Sequence, residues 1–267
     1  MNGRDDPWAA LDVTITPDDD IDGWAHEEPS SVPTPHGGEL IVVLGSCGGC
    51  GASTVAGGIA LGMAAGGGVI TLVDLDLAWG DLHGGWGVPR DRTLGDLAAV
   101  RDELTPAQIR MILAHHPSGV RLALSPGRPD ATGDWDEDTV ARLLVGATAD
   151  GPAVVDVGRS DPAVMAAAAS CAGRRLVVSP LSIRGARGVA ALMDVVGRGI
   201  EVVVNHSTRE SDLGIRGFRK LTGCDVRAEL PHRPHEAESI GSGRRPGGRR
   251  KPLRDAVDAL AIRRGTR

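Results

Sequence analysis

The chain has 267 residues, of which 41% are hydrophobic and 2% aromatic, and its formal net charge at pH 7 is −6. This hydrophobic content is enough to bury one substantial core, and the negative charge excludes a global basic field that would attract nucleic acid. No run reaches the roughly 18 consecutive apolar residues of a membrane span, and the N-terminus lacks the basic and apolar regions of a secretory signal. We therefore expect a cytoplasmic protein without a specific nucleic-acid partner.

The first 38 residues differ in composition from the rest of the chain. They contain nine Asp and Glu residues against a single Arg, and they show almost no hydrophobic periodicity. A segment of this composition cannot bury enough apolar surface to fold. We therefore predict a disordered acidic N-terminal tail over residues 1–38 and one folded domain over residues 39–267.

From residue 39 onwards, apolar runs alternate with patterns of helical period. The runs cover residues 41–44, 69–73, 120–124, 153–157, 176–178 and 202–204, and the helical patterns cover residues 106–115, 137–149, 162–172, 183–196 and 211–221. Strands that alternate with helices form βαβ units, and continuous apolar strands are typical of a parallel sheet covered on both faces. The predicted fold class is therefore α/β, a doubly wound, mostly parallel sheet with helices on both faces. Asp136 and Ser182 are the predicted N-caps of two helices.

A glycine-rich loop, GSCGGCGAST at residues 45–54, connects the first apolar run to an amphipathic segment. Glycines let the backbone approach a ligand closely, and successive backbone N–H groups at a helix N-terminus can surround phosphates. This candidate phosphate cradle consists of Gly48, Gly49, Cys50, Gly51, Ala52, Ser53 and Thr54. The Ser53 hydroxyl is placed to bind Mg²⁺. The alternative is a glycine-rich turn that only joins a strand to a helix.

Two lysines of phosphate-binding loops are absent. Ala52 stands where the motif has its lysine, and Cys47 stands where a variant form of the motif has a second one. Loss of a charge-assisted hydrogen bond costs about 1.5–3 kcal/mol, which weakens binding roughly ten- to hundredfold. We therefore expect the phosphate-bearing ligand to bind weakly, and the sequence leaves hydrolysis open. Cys47 and Cys50 also form a Cys-x-x-Cys pair, for which space-filling thiols, a redox pair and a zinc site are the alternatives.

Polar residues end several of the predicted strands, and ligands bind beyond the carboxyl ends of strands in such sheets. Asp74 and Asp76 are alternate residues that share one face, so together with Ser53 they form a candidate Mg²⁺ site. Asp156 ends an apolar run in the form of a Walker B element. Asn205 ends another, where its amide can contact an adenine edge. A helix cap for one aspartate and a turn for Asn205 are the alternatives.

Taken in order, these motifs resemble those of the MinD/ParA group of P-loop ATPases, and most closely its CpaE/TadZ branch, which shows a GGxGAST loop and a DLDLxxGD segment. The matching segments are GGCGAST at residues 48–54, DLDLAWGD at residues 74–81, Val155-Asp156, Ser179-Pro180, Val204-Asn205 and Glu229-Leu230-Pro231. The resemblance covers residues 39–263. It implies a P-loop fold and a dimerising, ATP-binding cytoplasmic switch that positions machinery, in this branch a Tad-type pilus and its secretion apparatus.

The resemblance also implies roles for single residues. Ser53 would meet Mg²⁺, and Asp76 would order the attacking water. Asp156 would be the Walker B carboxylate, and Asn205 would face adenine. The family's signature lysine, which reaches across the dimer to the nucleotide of the partner, matches Cys47, so this contact is absent. Candidate substitutes are Arg159, Arg184 and Arg187.

The leading hypothesis is a homodimeric positioning or scaffold protein for pilus assembly or secretion that binds Mg-ATP weakly and hydrolyses it slowly or not at all. A nucleotide-free interaction scaffold and a septum-site or chromosome-partitioning ATPase are the alternatives. The last helical pattern, near residues 253–261, is expected to close the core. Peripheral binding at the inner face of the membrane is a less favoured alternative, to which the basic residues 244–251 would contribute.

Overall fold

The apolar runs of the sequence form the strands of one sheet. The structure, a computed structural model, describes residues 39–131, 135–158, 160–206 and 213–262, so residues 1–38 and Arg159 lie outside the described residues. The strands are β1 (Leu40–Gly45), β2 (Ile70–Asp74), β3 (Ala114–His115), β4 (Val120–Ala123), β5 (Ala153–Asp156), β6 (Arg174–Ser179), β7 (Glu201–Asn205) and β8 (Val226–Leu230). Their order across the sheet is β3-β4-β2-β5-β1-β6-β7-β8. Neighbouring strands are parallel, except that β3 is antiparallel to β4.

Helices connect the strands and cover the sheet. They are α1 (Ala52–Ala65), α2 (Leu82–Trp86), α3 (Pro106–Ile112), α4 (Glu137–Ala147), α5 (Pro162–Cys171), α6 (Ile183–Val196), α7 (Ile215–Thr222), α8 (Pro234–Gly241) and α9 (Pro252–Ala261). Short 3-10 segments span Leu94–Glu103 and Pro129–Ala131. The parallel strands therefore end together at one edge of the sheet, from which the connections to the following helices begin.

Side chains that alternate along the central strands divide the core into two layers. On β1, Ile41 and Val43 pack with residues of α1, α2, α8 and α9. The alternate residues Leu40, Val42 and Leu44 pack with residues of α3 to α7. All five β1 side chains are almost completely buried, because the sheet is covered on both faces. The predicted doubly wound α/β fold is thus confirmed.

The structure confirms the two predicted helix caps and the predicted packing of the last helical pattern, and it shortens one predicted helix. The Asp136 side chain accepts a hydrogen bond from the Thr139 N–H at 2.8 Å, and Ser182 accepts one from the Gly185 N–H at 3.0 Å, so both cap helices as predicted. α9 buries one face in the core, also as predicted. The helical pattern at residues 106–115 instead ends at Ile112 and is followed by the edge strand β3.

The elements that the sequence did not reveal are short or lie at an edge. The edge strand β8 is mostly half-buried and mixes apolar with charged residues, and α2 has only five residues. Neither gives the long apolar or periodic signal on which such predictions depend. Among the described residues, no helix combines the length and the apolar character that crossing a membrane requires.

Candidate functional site

The glycine-rich loop leads from β1 directly into α1. Gly49 and Gly51 have φ values of 75° and 92°, a left-handed conformation that other residues adopt at a cost. The Ser46 N–H donates to the Val178 carbonyl of β6 at 2.9 Å and ties the start of the loop to the sheet. No side chain caps the N-terminus of α1. The first turn of the helix therefore retains backbone donors that can bind an anion.

The two cysteines of the loop differ in environment. Cys50 is buried, and a Cβ atom placed on Gly45 would lie 2.8 Å from its Sγ. Burial raises the pKa of the Cys50 thiol, which makes it a weaker nucleophile and metal ligand. Cys47 is half-buried, and both thiols are free. These contacts favour the space-filling interpretation of Cys50.

An acidic cavity of about 270 Å³ lies on one side of the loop. Parallel pairing of β2 with β5 places Asp74 opposite Asp156, and both side chains are almost completely buried. Ser53, Asp74, Asp76 and Asp156 all line this acidic cavity. In the described part of the chain, no group of three or more His, Cys, Asp and Glu side chains is arranged to hold a metal ion by itself. A cation here would therefore need further ligands, such as phosphate oxygens or water.

Asp74 holds the segment that follows β2. Its carboxylate accepts hydrogen bonds from the Ser125 hydroxyl at 3.1 Å, the Leu82 N–H at 3.4 Å and the Asp76 N–H at 3.3 Å. Burial, and then the nearby charge of Asp156, raise the pKa of Asp74 to about 8. Without a cation in the cavity, Asp74 is therefore mostly protonated at pH 7.

Asp156 is only partly satisfied by hydrogen bonds. Its Oδ1 atom is buried and has no hydrogen-bond partner among the described residues. Burial, followed by the charge of Asp76, raises the pKa of Asp156 to about 6, although hydrogen bonds from the Ser53 hydroxyl and the Gly158 N–H act in the opposite direction. A buried oxygen without a partner costs free energy, so Oδ1 is an acceptor available to a ligand in this cavity.

Asp76 lies beside Asp156 and close to the surface. Its Oδ1 atom accepts a hydrogen bond from the Trp79 N–H at 3.1 Å. A Cβ atom placed on Gly158 would overlap the Asp76 side chain, so only glycine leaves room for this aspartate. Trp79 lines the same cavity and is 62% exposed.

A second cavity, of about 230 Å³, lies on the other side of the loop and has mostly apolar walls. We call it the apolar cavity. Gly49, Gly51 and Val55 line it on one side, and the segments after β7 and β8 line it on the other. The Asn205 Nδ2 atom donates a hydrogen bond to the Cys50 carbonyl oxygen at 2.8 Å. Asn205 therefore restrains the loop as well as facing the cavity.

Three basic residues that line the site were not identified from the sequence. Two of the arginines that the sequence offered as substitutes for the missing lysines lie elsewhere. His206, His232 and Arg233 line the apolar cavity. His232 and Arg233 follow the carboxyl end of β8, which was not predicted, whereas His206 follows β7, where the strand-end rule already pointed. Arg184 and Arg187 are exposed on α6 and line neither cavity.

Solved structures share this fold at low sequence identity. The crystal structure of a ParA family ATPase from Chlorobium tepidum TLS is 18% identical, with a TM-score of 0.71, and the match covers 84% of this chain and 98% of that one. The septum site-determining protein MinD from Pyrococcus horikoshii OT3, complexed with Mg-ADP, is 17% identical, with a TM-score of 0.67 and coverages of 84% and 94%. An ATP complex of a Cyanothece McdA variant is 15% identical, with a TM-score of 0.60 and coverages of 88% and 100%.

These matches define the class of fold. The chain has the fold of the MinD/ParA-type P-loop ATPases, with an eight-stranded, mostly parallel sheet and helices on both faces. No family model and no curated protein matches the sequence.

Proposed function

We propose that this chain binds Mg-ATP between the two cavities. The phosphates lie at residues 48–54, and the nucleoside lies in the apolar cavity beside Asn205. The observation that carries this proposal is the uncapped N-terminus of α1, which begins after two left-handed glycines and has an apolar cavity on one side and an acidic cavity on the other. An apolar cavity suits a base, and a helix N-terminus suits phosphates.

Mg²⁺ would neutralise part of the phosphate charge, and Ser53, Asp74 and Asp76 are the ligands we propose for it. Because Asp74 already accepts three hydrogen bonds, it acts on the ion through water, which Mg²⁺ usually retains. Asp76 is the residue proposed to order the attacking water, and Asp156 is the proposed Walker B carboxylate. Since the loop has no lysine to stabilise developing charge, turnover is slow.

We further infer that the protein is a cytoplasmic homodimer that positions pilus-assembly or secretion machinery. The support is the resemblance of residues 48–54 and 74–81 to the CpaE/TadZ branch, together with a fold shared with ParA, MinD and McdA proteins. Pilus or secretion genes beside its own gene would support this role. Septum-site or partitioning genes there would instead favour a division or partitioning ATPase, for which steady phosphate release abolished by Asp76→Ala is the test.

Restoring the missing lysine tests the proposed cradle. Ala52→Lys places an ammonium group at the start of α1, where it would meet bound phosphate. We expect Mg-ATP affinity to rise about tenfold or more, since charge-assisted hydrogen bonds contribute about 1.5–3 kcal/mol. Isothermal titration calorimetry measures this change. Unchanged affinity would count against the loop as a phosphate site.

The absence of both lysines also favours a second candidate, a nucleotide-free interaction scaffold that retains only the fold. In this case the buried carboxylates of the acidic cavity would be protonated and neutral, which the raised pKa values of Asp74 and Asp156 allow. The scaffold predicts no binding heat and no change in molecular mass at millimolar Mg-ATP. The nucleotide-binding switch predicts both.

A further inference from the structure

The two cavities beside the loop differ in the charge of their side chains. Four aspartates, Asp81 among them, line the acidic cavity, whereas His206, His232 and Arg233 line the apolar cavity. Of these three, only Arg233 is positively charged at every physiological pH. The basic side chains thus lie on the side of the loop opposite to the aspartates.

Arg233 lies at the start of α8, on the wall of the apolar cavity. It occupies the N-cap position of α8, two residues beyond Pro231 and three beyond the end of β8. Its Nη1 atom donates to the His232 carbonyl oxygen at 2.9 Å. The side chain is exposed and lines the same cavity as Gly49 and Gly51. Among the described residues its guanidinium makes no ion pair with a carboxylate, so its charge is available to a ligand.

We propose that Arg233 binds the phosphates of the nucleotide and supplies the positive charge that the loop lacks at Ala52 and Cys47. This inference rests on the nucleotide binding proposed above. A guanidinium presents several N–H donors in one plane and binds phosphate through paired hydrogen bonds. Arg233 lines the cavity beside the loop from the β8–α8 connection, so phosphate binding here would not need a lysine on α1.

The test compares Mg-ATP affinity, measured by calorimetry, for the unmodified protein and three variants. Arg233→Gln removes the charge and is expected to weaken binding about tenfold or more. Arg233→Lys retains the charge but cannot form the paired hydrogen bonds, so it is expected to weaken binding, although less than Arg233→Gln does. Arg249→Gln removes another exposed arginine, one that lines neither cavity, and is expected to leave Mg-ATP affinity unchanged. Thermal unfolding checks that each variant is folded.

Coupling to position 52 separates a phosphate contact from a general effect of charge. If Arg233 takes the place of the missing lysine, Arg233→Gln in the Ala52→Lys background should weaken binding by much less than it does alone. Binding by the unmodified protein with no loss in Arg233→Gln would overturn the role of Arg233 and leave the proposed function standing. Equal losses in both backgrounds would also overturn it. No binding by the unmodified protein and by Ala52→Lys would overturn both proposals.

Discussion

At the level of single residues, the acidic cavity contains buried carboxylates, and the loop that faces it has no lysine. Asp74 and Asp156 lie opposite each other on neighbouring strands, and Ala52 occupies the position of the motif's lysine. Burial disfavours a negative charge on either group, and the charge of Asp156 acts on Asp74 while that of Asp76 acts on Asp156, which is why both pKa values rise. The negative charges of these two carboxylates must therefore be neutralised by protons or balanced by a bound cation.

This compensation predicts how the stability of the nucleotide-free protein depends on pH. The pKa of Asp74 is about 8 and that of Asp156 about 6 in the folded state, against 3.8 for both in the unfolded chain. Between pH 4 and 8 the folded state thus binds more protons, and the free energy of unfolding falls as pH rises. A pKa near 6 in place of 3.8 corresponds to about 3 kcal/mol for Asp156 alone.

Urea unfolding at pH 5, 6, 7 and 8, without nucleotide or divalent cations, measures this slope. Asp74→Asn is the matched variant, because it keeps the shape of the side chain and removes its titration. Its free energy of unfolding should vary less with pH than that of the unmodified protein. A stability that is constant or rises from pH 5 to pH 8 in the unmodified protein would contradict the proposed protonation of the acidic cavity.

At the scale of elements, α6 packs closely against the loop. A Cβ atom built on Gly188 of this helix would overlap the carbonyl oxygen of Ser46, a backbone atom that cannot rotate away as a side chain can. The Ser46 N–H is also bonded to β6. The start of the loop is therefore clamped between a strand and a helix, which fixes it before any ligand binds.

Gly188→Ala should break this clamp. Alanine normally stabilises a helix relative to glycine by about 1 kcal/mol, but overpacking at this contact should destabilise the fold by about 2 kcal/mol. Gly241→Ala is the control, because nothing lies within 4 Å of a Cβ atom at that helical position. Chemical denaturation compares the two variants. A Gly188→Ala protein as stable as Gly241→Ala would show that the loop is not clamped in this way.

The elements of this fold differ in how far the sequence predicts them. Long apolar runs such as β1 and β5 are recognisable in the sequence, and parallel pairing then brings Asp74 and Asp156 together, as the strand-end rule predicts. The contact of Asn205 with the Cys50 carbonyl joins residues 155 positions apart, and no local pattern encodes it. Arg233 was missed because β8, an edge strand with charged residues, lacks a continuous apolar signal.

At the scale of the whole molecule, a buried arginine fastens the last helix to the sheet. The Arg174 Nε atom donates to Glu201 at 2.9 Å, and its Nη1 atom donates to the Leu260 carbonyl oxygen of α9 at 2.6 Å. Arg227 donates to the same carboxylate at 2.9 Å. α9 packs in turn on α1, so this contact supports the layer that carries the loop.

Arg174→Met should therefore cost about 3 kcal/mol of stability, because it leaves Glu201 and the Leu260 carbonyl with unsatisfied hydrogen-bonding capacity. Arg227→Met removes one donor from the same carboxylate and should cost about 1 kcal/mol. Urea denaturation of both variants measures the difference. Equal small losses would mean that the Arg174 side chain does not hold α9 in place.

Nucleotide binding by the unmodified protein is the central claim, and calorimetric titration with Mg-ATP, with light scattering to follow the molecular mass, tests it most directly. Ser53→Ala is the control, because it removes the proposed metal ligand and the hydrogen bond to Asp156. We predict weak binding with an increase in mass for the unmodified protein, and loss of both in Ser53→Ala. No heat and no change in mass up to millimolar Mg-ATP would contradict the claim and leave the fold as an interaction scaffold.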